Sequence, residues 1–88
     1  MDNRPALIGI MVTDISASER MNAVLHEYRD YIIGRMGVPH RKMGIYLASV
    51  AVDAPQDIIS AMSGKLGAIE GITAKTIVHR FPNREASL

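Results

Sequence analysis

Eighty-eight residues make a single domain, and a chain this short buries only about 60–65% of the surface it exposes when unfolded, so self-association is a common way to complete its burial. Ten basic residues against nine acidic give a net charge of +1 with no basic run longer than Arg41-Lys42, which removes the electrostatic case for direct nucleic-acid binding. The absence of cysteine excludes disulfides, thiolate catalysis, zinc–cysteine sites and iron–sulfur ligation, and no apolar stretch approaches the ~20 residues that cross a bilayer.

Met1-Asp2-Asn3-Arg4-Pro5 lacks the basic and then apolar start of a secretory signal, so a cytoplasmic protein is expected. Ala6 to Thr13 is a continuous apolar run, rich in β-branched residues and short for a helix. It predicts a central strand buried on both faces. Ser16-Ala-Ser-Glu19 reads as a capping box, in which the Ser16 hydroxyl and the Glu19 carboxylate satisfy amides of a first helical turn. Met21, Val24, Leu25 and Tyr28 follow at helical spacing, predicting a helix from about Ala17 to about Asp30.

Tyr31 to Val38 supports two readings. Ile32, Gly34, Met36 and Val38 alternate as in a strand, whereas Met21, Leu25, Tyr28 and Ile32 would extend the helix to a stop at Gly34. The strand is favoured because Pro39 and His40-Arg41-Lys42 then connect to the next apolar run. That run, Gly44 to Val52, puts Tyr46, Ala48, Val50 and Val52 on one face and Ile45, Leu47, Ser49 and Ala51 on the other. Asp53 is placed to cap a second helix, with Pro55 in the first turn and Gln56 completing a capping box. Ile58, Ile59, Met62, Leu66 and Ile69 form its apolar stripe, and the helix ends before Gly71.

Ile72 to His79 then alternates as an edge strand. The ordered domain is expected to cover about residues 6–80, with a polar tail over 81–88. The order β-α-β-β-α-β is that of the ferredoxin-like α+β fold, four antiparallel strands with two helices on one face. Either set of alternate residues in the first strand, Leu7, Gly9 and Met11 or Ile8, Ile10 and Val12, leaves an apolar sheet face without helices over it. This predicts a homo-oligomer.

The chemistry-bearing residues form no catalytic constellation. His26, His40 and His79 include no H-x-H or H-x-x-x-H spacing, so no nickel or zinc site is expected. Asp14, Asp30, Asp53 and Asp57 each fit a loop, cap or first-turn role, and Ser63 has no base partner or nucleophile elbow. Gly64-Lys65 is not a phosphate-binding loop, because Ile59 stands where the leading glycine is required and Leu66 where Ser or Thr is required.

Gly64 and Gly67 are costly in a helix and lie near one face, which fits either a glycine-rich helix end or the close approach of a partner subunit or ligand beside Lys65. Arg35, in an apolar strand, reads either as a solvent-facing edge residue or as an anion or interface contact.

Arg35-x-Gly37-x-Pro39 and Ser63-Gly64-Lys65-Leu66-Gly67-x-Ile69-x-Gly71 resemble the small proteins named for regulation of iron-only hydrogenase systems, a likeness that runs from the first strand to about Val78. That family resembles ACT domains and the C-terminal regulatory domain of nickel-responsive repressors. The resemblance implies a ferredoxin-like fold assembled into dimers or tetramers, and a regulatory role. The reading preferred from the residues is a regulatory module without catalysis or cofactor, acting through a small-molecule effector or a protein partner. Arg35, Gly37, Ser63, Gly64, Lys65 and Gly67 are the candidate ligand or interface residues.

His26 falls about where the repressor domain supplies one nickel ligand from a helix. Gly37 and Pro39 stand at the positions of its strand histidines and its ligand cysteine has no counterpart, so nickel sensing is not implied. With the first strand beginning almost at once, no ribbon-helix-helix domain is expected, and any effect on transcription would pass through a partner. Two other classes remain open: a small enzyme or accessory protein using a ferredoxin-like dimer pocket, which would need a cluster of acid–base groups, and a purely structural oligomer.

Overall fold

Alternation of side chains along the strands decides which residues meet the helices. The computed structural model describes residues 2–79, so the polar tail expected over 81–88 lies outside the described residues. Its elements are β1 (Asn3–Val12), α1 (Ser18–Glu27), β2 (Ile32–His40), β3 (Ile45–Pro55), α2 (Gln56–Gly67) and β4 (Ile72–Val78), with 3-10 turns at Ile15–Ala17 and Arg29–Tyr31 on either side of α1. The strands pair antiparallel in the order β2-β3-β1-β4, the ferredoxin-like topology. As expected, β1 is central and β4 is an edge.

Ile8, Ile10 and Val12 of β1 and Val50 and Val52 of β3 point to the helical side, where Met21 and Leu25 of α1 and Ile59, Met62 and Leu66 of α2 complete a core. No polar or charged side chain is buried among the described residues, so hydrophobic burial and packing carry the stability. Truncating a central member such as Leu66 to alanine is the kind of change that costs about 2–5 kcal/mol.

Four local expectations are corrected. The first concerns the start of α1. Asp14, not Ser16, is the capping side chain: its Oδ1 accepts from the Ser16 amide at 3.1 Å and from the Ser16 hydroxyl at 2.7 Å, opening a 3-10 turn before α1. With its hydroxyl donating to Asp14, Ser16 does not act as the acceptor that the capping box required. The helix is also shorter than predicted, ending at Glu27 before a second 3-10 turn.

The second concerns Asp53, which lies within β3 rather than at a helix cap. Residues Asn3 to Pro5 lengthen β1 beyond its apolar run, and their pairing with Asp53 to Pro55 holds that segment extended. Helix α2 therefore starts at Gln56, with no side-chain cap. Third, β1 is buried on one face only. Leu7 and Met11 are exposed on the other.

The fourth correction is in β2. The strand reading holds for Ile32 onward, but Ile32 pairs with Val52 and Gly34 with Ala51, leaving Ile33 as an extra residue in a β-bulge. Ile32 therefore does not share a face with Gly34, Met36 and Val38, and Arg35, opposite Val50, is carried to the helical side of the sheet.

Candidate functional surfaces

The helix-free side of the sheet is the most apolar exposed surface in the described structure. Leu7 and Met11 from β1, Ile33, Met36 and Val38 from β2, and Ile77 from β4 are six of the eight large hydrophobic residues that are exposed, the others being Ile15 and Met43. Ile77 is 71% exposed and Met36 61%, far more than a side chain that the fold itself buries. Leu47, Ser49 and Ala51 of β3 run through the middle of this surface, opposite Met11, Gly9 and Leu7 in the register. Asp53 and Lys75 bring one charge of each sign to it.

The six candidate residues do not converge. Arg35 and Gly37 lie on β2, at one edge of the sheet, while Ser63, Gly64, Lys65 and Gly67 lie on α2, whose Ser63 reaches β4 at the opposite edge. Arg35 donates through its guanidinium to Asn22 Oδ1 of α1 at 2.8 Å. Gly37 is filled from across the sheet: a side chain there would overlap the Tyr46 hydroxyl, so the missing Cβ is what lets the Tyr46 ring lie over β2.

On α2, Ser63 shares a 2.8 Å hydrogen bond with Thr76 of β4, and Gly64 borders the shallow groove between these elements. Neither Gly64 nor Gly67 has a neighbour within 4 Å of where a Cβ would stand. Lys65 turns toward α1, where its Nζ meets Glu27 Oε2 at 2.8 Å and lies 5.1 Å from the Tyr28 ring centroid. The hydrogen bond to the Glu27 carboxylate, with Tyr28 beside it, raises the Lys65 pKa above the ordinary lysine value. Within one chain, then, Lys65 already has an anionic partner and links the two helices.

Sequence reasoning missed a second cationic residue near Arg35. The guanidinium of Arg29 donates to the His26 carbonyl at 2.9 Å in the last turn of α1, and Asn22, His26, Arg29 and Arg35 border one cleft. The i, i+4, i+7 spacing of Asn22, His26 and Arg29 was a readable signal. What hid the cluster was the bulge, which alone brings Arg35 to the same side. Among the described residues, no three His, Asp or Glu side chains gather where they could hold a metal ion, and no helix is long and apolar enough to cross a membrane.

Comparison with known proteins follows the same outline. The model of the TM1266-like family, described as "Iron-only hydrogenase system regulator, putative", matches residues 4–76. The solved structure of the uncharacterized protein TM1266 from Thermotoga maritima superposes with a TM-score of 0.85 at 30% identity, covering 90% of this chain and all of that one. A formyltetrahydrofolate deformylase from Pseudomonas putida KT2440 matches with a TM-score of 0.61 at 15% identity, over 90% of this chain and 29% of that chain; at that identity the likeness is one of fold alone. No curated protein matches the chain.

Proposed function

The chain belongs to the TM1266-like family, named for regulation of iron-only hydrogenase systems, and on that premise we propose that it is a non-catalytic regulatory module that works by self-association. One observation carries the proposal, the gathering of Leu7, Met11, Ile33, Met36, Val38 and Ile77 on the sheet face without helices. A surface of this kind in water favours burial, and a second copy supplies an equally apolar and equally sized cover. Asp53 and Lys75 oppose no such stacking, because the face carries one charge of each sign. Regulation then means that a small effector or a protein partner binds one assembly better than the free chain and shifts the balance between them.

Met11→Asp tests the reading. Met11 is exposed on that face and faces none of the core, so the variant is expected to keep its circular dichroism spectrum while light scattering reports a monomer in place of the assembly. A wild-type chain that is monomeric throughout the micromolar range would rule the proposal out.

A further inference from the structure

The cleft between α1 and β2 gathers positive charge without its complement. Asn22, His26 and Arg29 line it from the helical side and Arg35 from the strand, over a floor made by Leu25 and Ile32, and its volume is about 340 Å³. No carboxylate lines it. The ion pair between Lys65 and Glu27 involves neither arginine, so both guanidinium groups lack an acidic partner among the described residues. Each spends one N–H contact on a neutral oxygen, Arg29 on the His26 carbonyl and Arg35 on Asn22 Oδ1, which fixes its position while leaving further donors of the planar fork available.

Two like charges held on separate elements around one cleft repel each other unless an anion joins them. Their fork geometry matches the oxygens of a carboxylate or phosphate, and the apolar floor gives a non-polar part of the same molecule a place to lie. We propose that this cleft binds a small organic anion, in which a carboxylate or phosphate group is held by Arg29 and Arg35 and an apolar portion rests on Leu25 and Ile32. The site gives the regulatory reading above a class of effector and rests on that reading only for the purpose of binding.

The test is titration of the isotope-labelled full chain, followed by amide NMR, with inorganic phosphate, butyrate and butyl phosphate as probes and sodium chloride at matched ionic strength as control. Butyrate and butyl phosphate are expected to give saturable shifts confined to residues around Asn22, His26, Arg29, Ile32 and Arg35. Butyl phosphate should bind several-fold tighter than inorganic phosphate, because its chain buries on the floor. Arg29→Gln and Arg35→Gln should each lose about tenfold or more in affinity while keeping the wild-type spectrum elsewhere.

Equal shifts with chloride, or undiminished binding in both variants, would overturn the site. Equal affinity for inorganic and butyl phosphate would overturn the role of the apolar floor. Light scattering on the same samples keeps the two proposals apart: an assembled protein that ignores all three probes refutes the cleft alone, and a monomer that binds them refutes self-association alone.

Discussion

Gly64 and Gly71 differ by seven positions and should respond in opposite directions to the same added methyl group. Gly64 is inside α2, its φ is not positive, and a Cβ there would meet nothing within 4 Å. Gly64→Ala is therefore expected to stabilise the fold by about 0.5–1 kcal/mol through helix propensity and the smaller entropy of the unfolded chain. Gly71 has φ +90°, and a Cβ would stand 2.6 Å from the Asp14 Cβ, an atom fixed to the backbone of the β1–α1 connection. Gly71→Ala should cost at least about 1–2 kcal/mol for the left-handed backbone alone, before that overlap is counted. Urea denaturation of both variants checks the contrast, and shifts of the same sign would refute it. Loss of assembly in Gly64→Ala would instead place a neighbouring subunit against this part of α2.

The 3-10 turn that opens the first helix depends on one carboxylate. The hydrogen bond from the Ser16 hydroxyl, reinforced by the Ser16 amide, lowers the Asp14 pKa below its ordinary value of 3.8. A depressed carboxylate pKa contributes stability that is complete above the unfolded-state value and is lost as pH falls through the folded-state one. The stability gap between wild type and Asp14→Asn should accordingly be widest near neutral pH and narrow below about pH 4, as followed by urea midpoints across the acid range. A gap independent of pH would mean that the negative charge is not what holds the turn. This cap also illustrates what was legible in the sequence. The helical-period stripes of α1 and α2, the apolar runs of β1 and β3 and the alternation of β2 and β4 identified the six main elements, because burial imposes those patterns, although the bulge at Ile33 interrupts the alternation read in β2. The capping pattern at Ser16 and the one at Asp53 misled, since in each case a competing partner, Asp14 for the first and the β1 ladder for the second, claims the local groups. The candidate residues were readable as unusual, but their separation to the two edges of the sheet depends on strand order, which no local spacing encodes.

A protein that completes its burial by association has a stability tied to its own concentration. If the helix-free face is covered by a second copy, the thermal midpoint should rise as the wild-type chain is concentrated, while Met11→Asp should melt at one temperature at every dilution. Calorimetry over about a hundredfold range of concentration decides between these behaviours, and an invariant wild-type midpoint would count against the association. The bulge in β2 has a wider consequence for this surface. A strand has only two sides, so every residue beyond an inserted position changes parity with respect to its neighbours. Ile33 performs that change once: after it, Arg35 goes to the side of α1 while Met36 and Val38 go to the other. Were Ile33 paired in a regular ladder instead, the same letters would carry a guanidinium into the middle of the apolar sheet and turn both hydrophobic side chains toward the helices. The charged cleft and the greasy face are thus not independent acquisitions; they are opposite readings of one strand, divided by one amino acid.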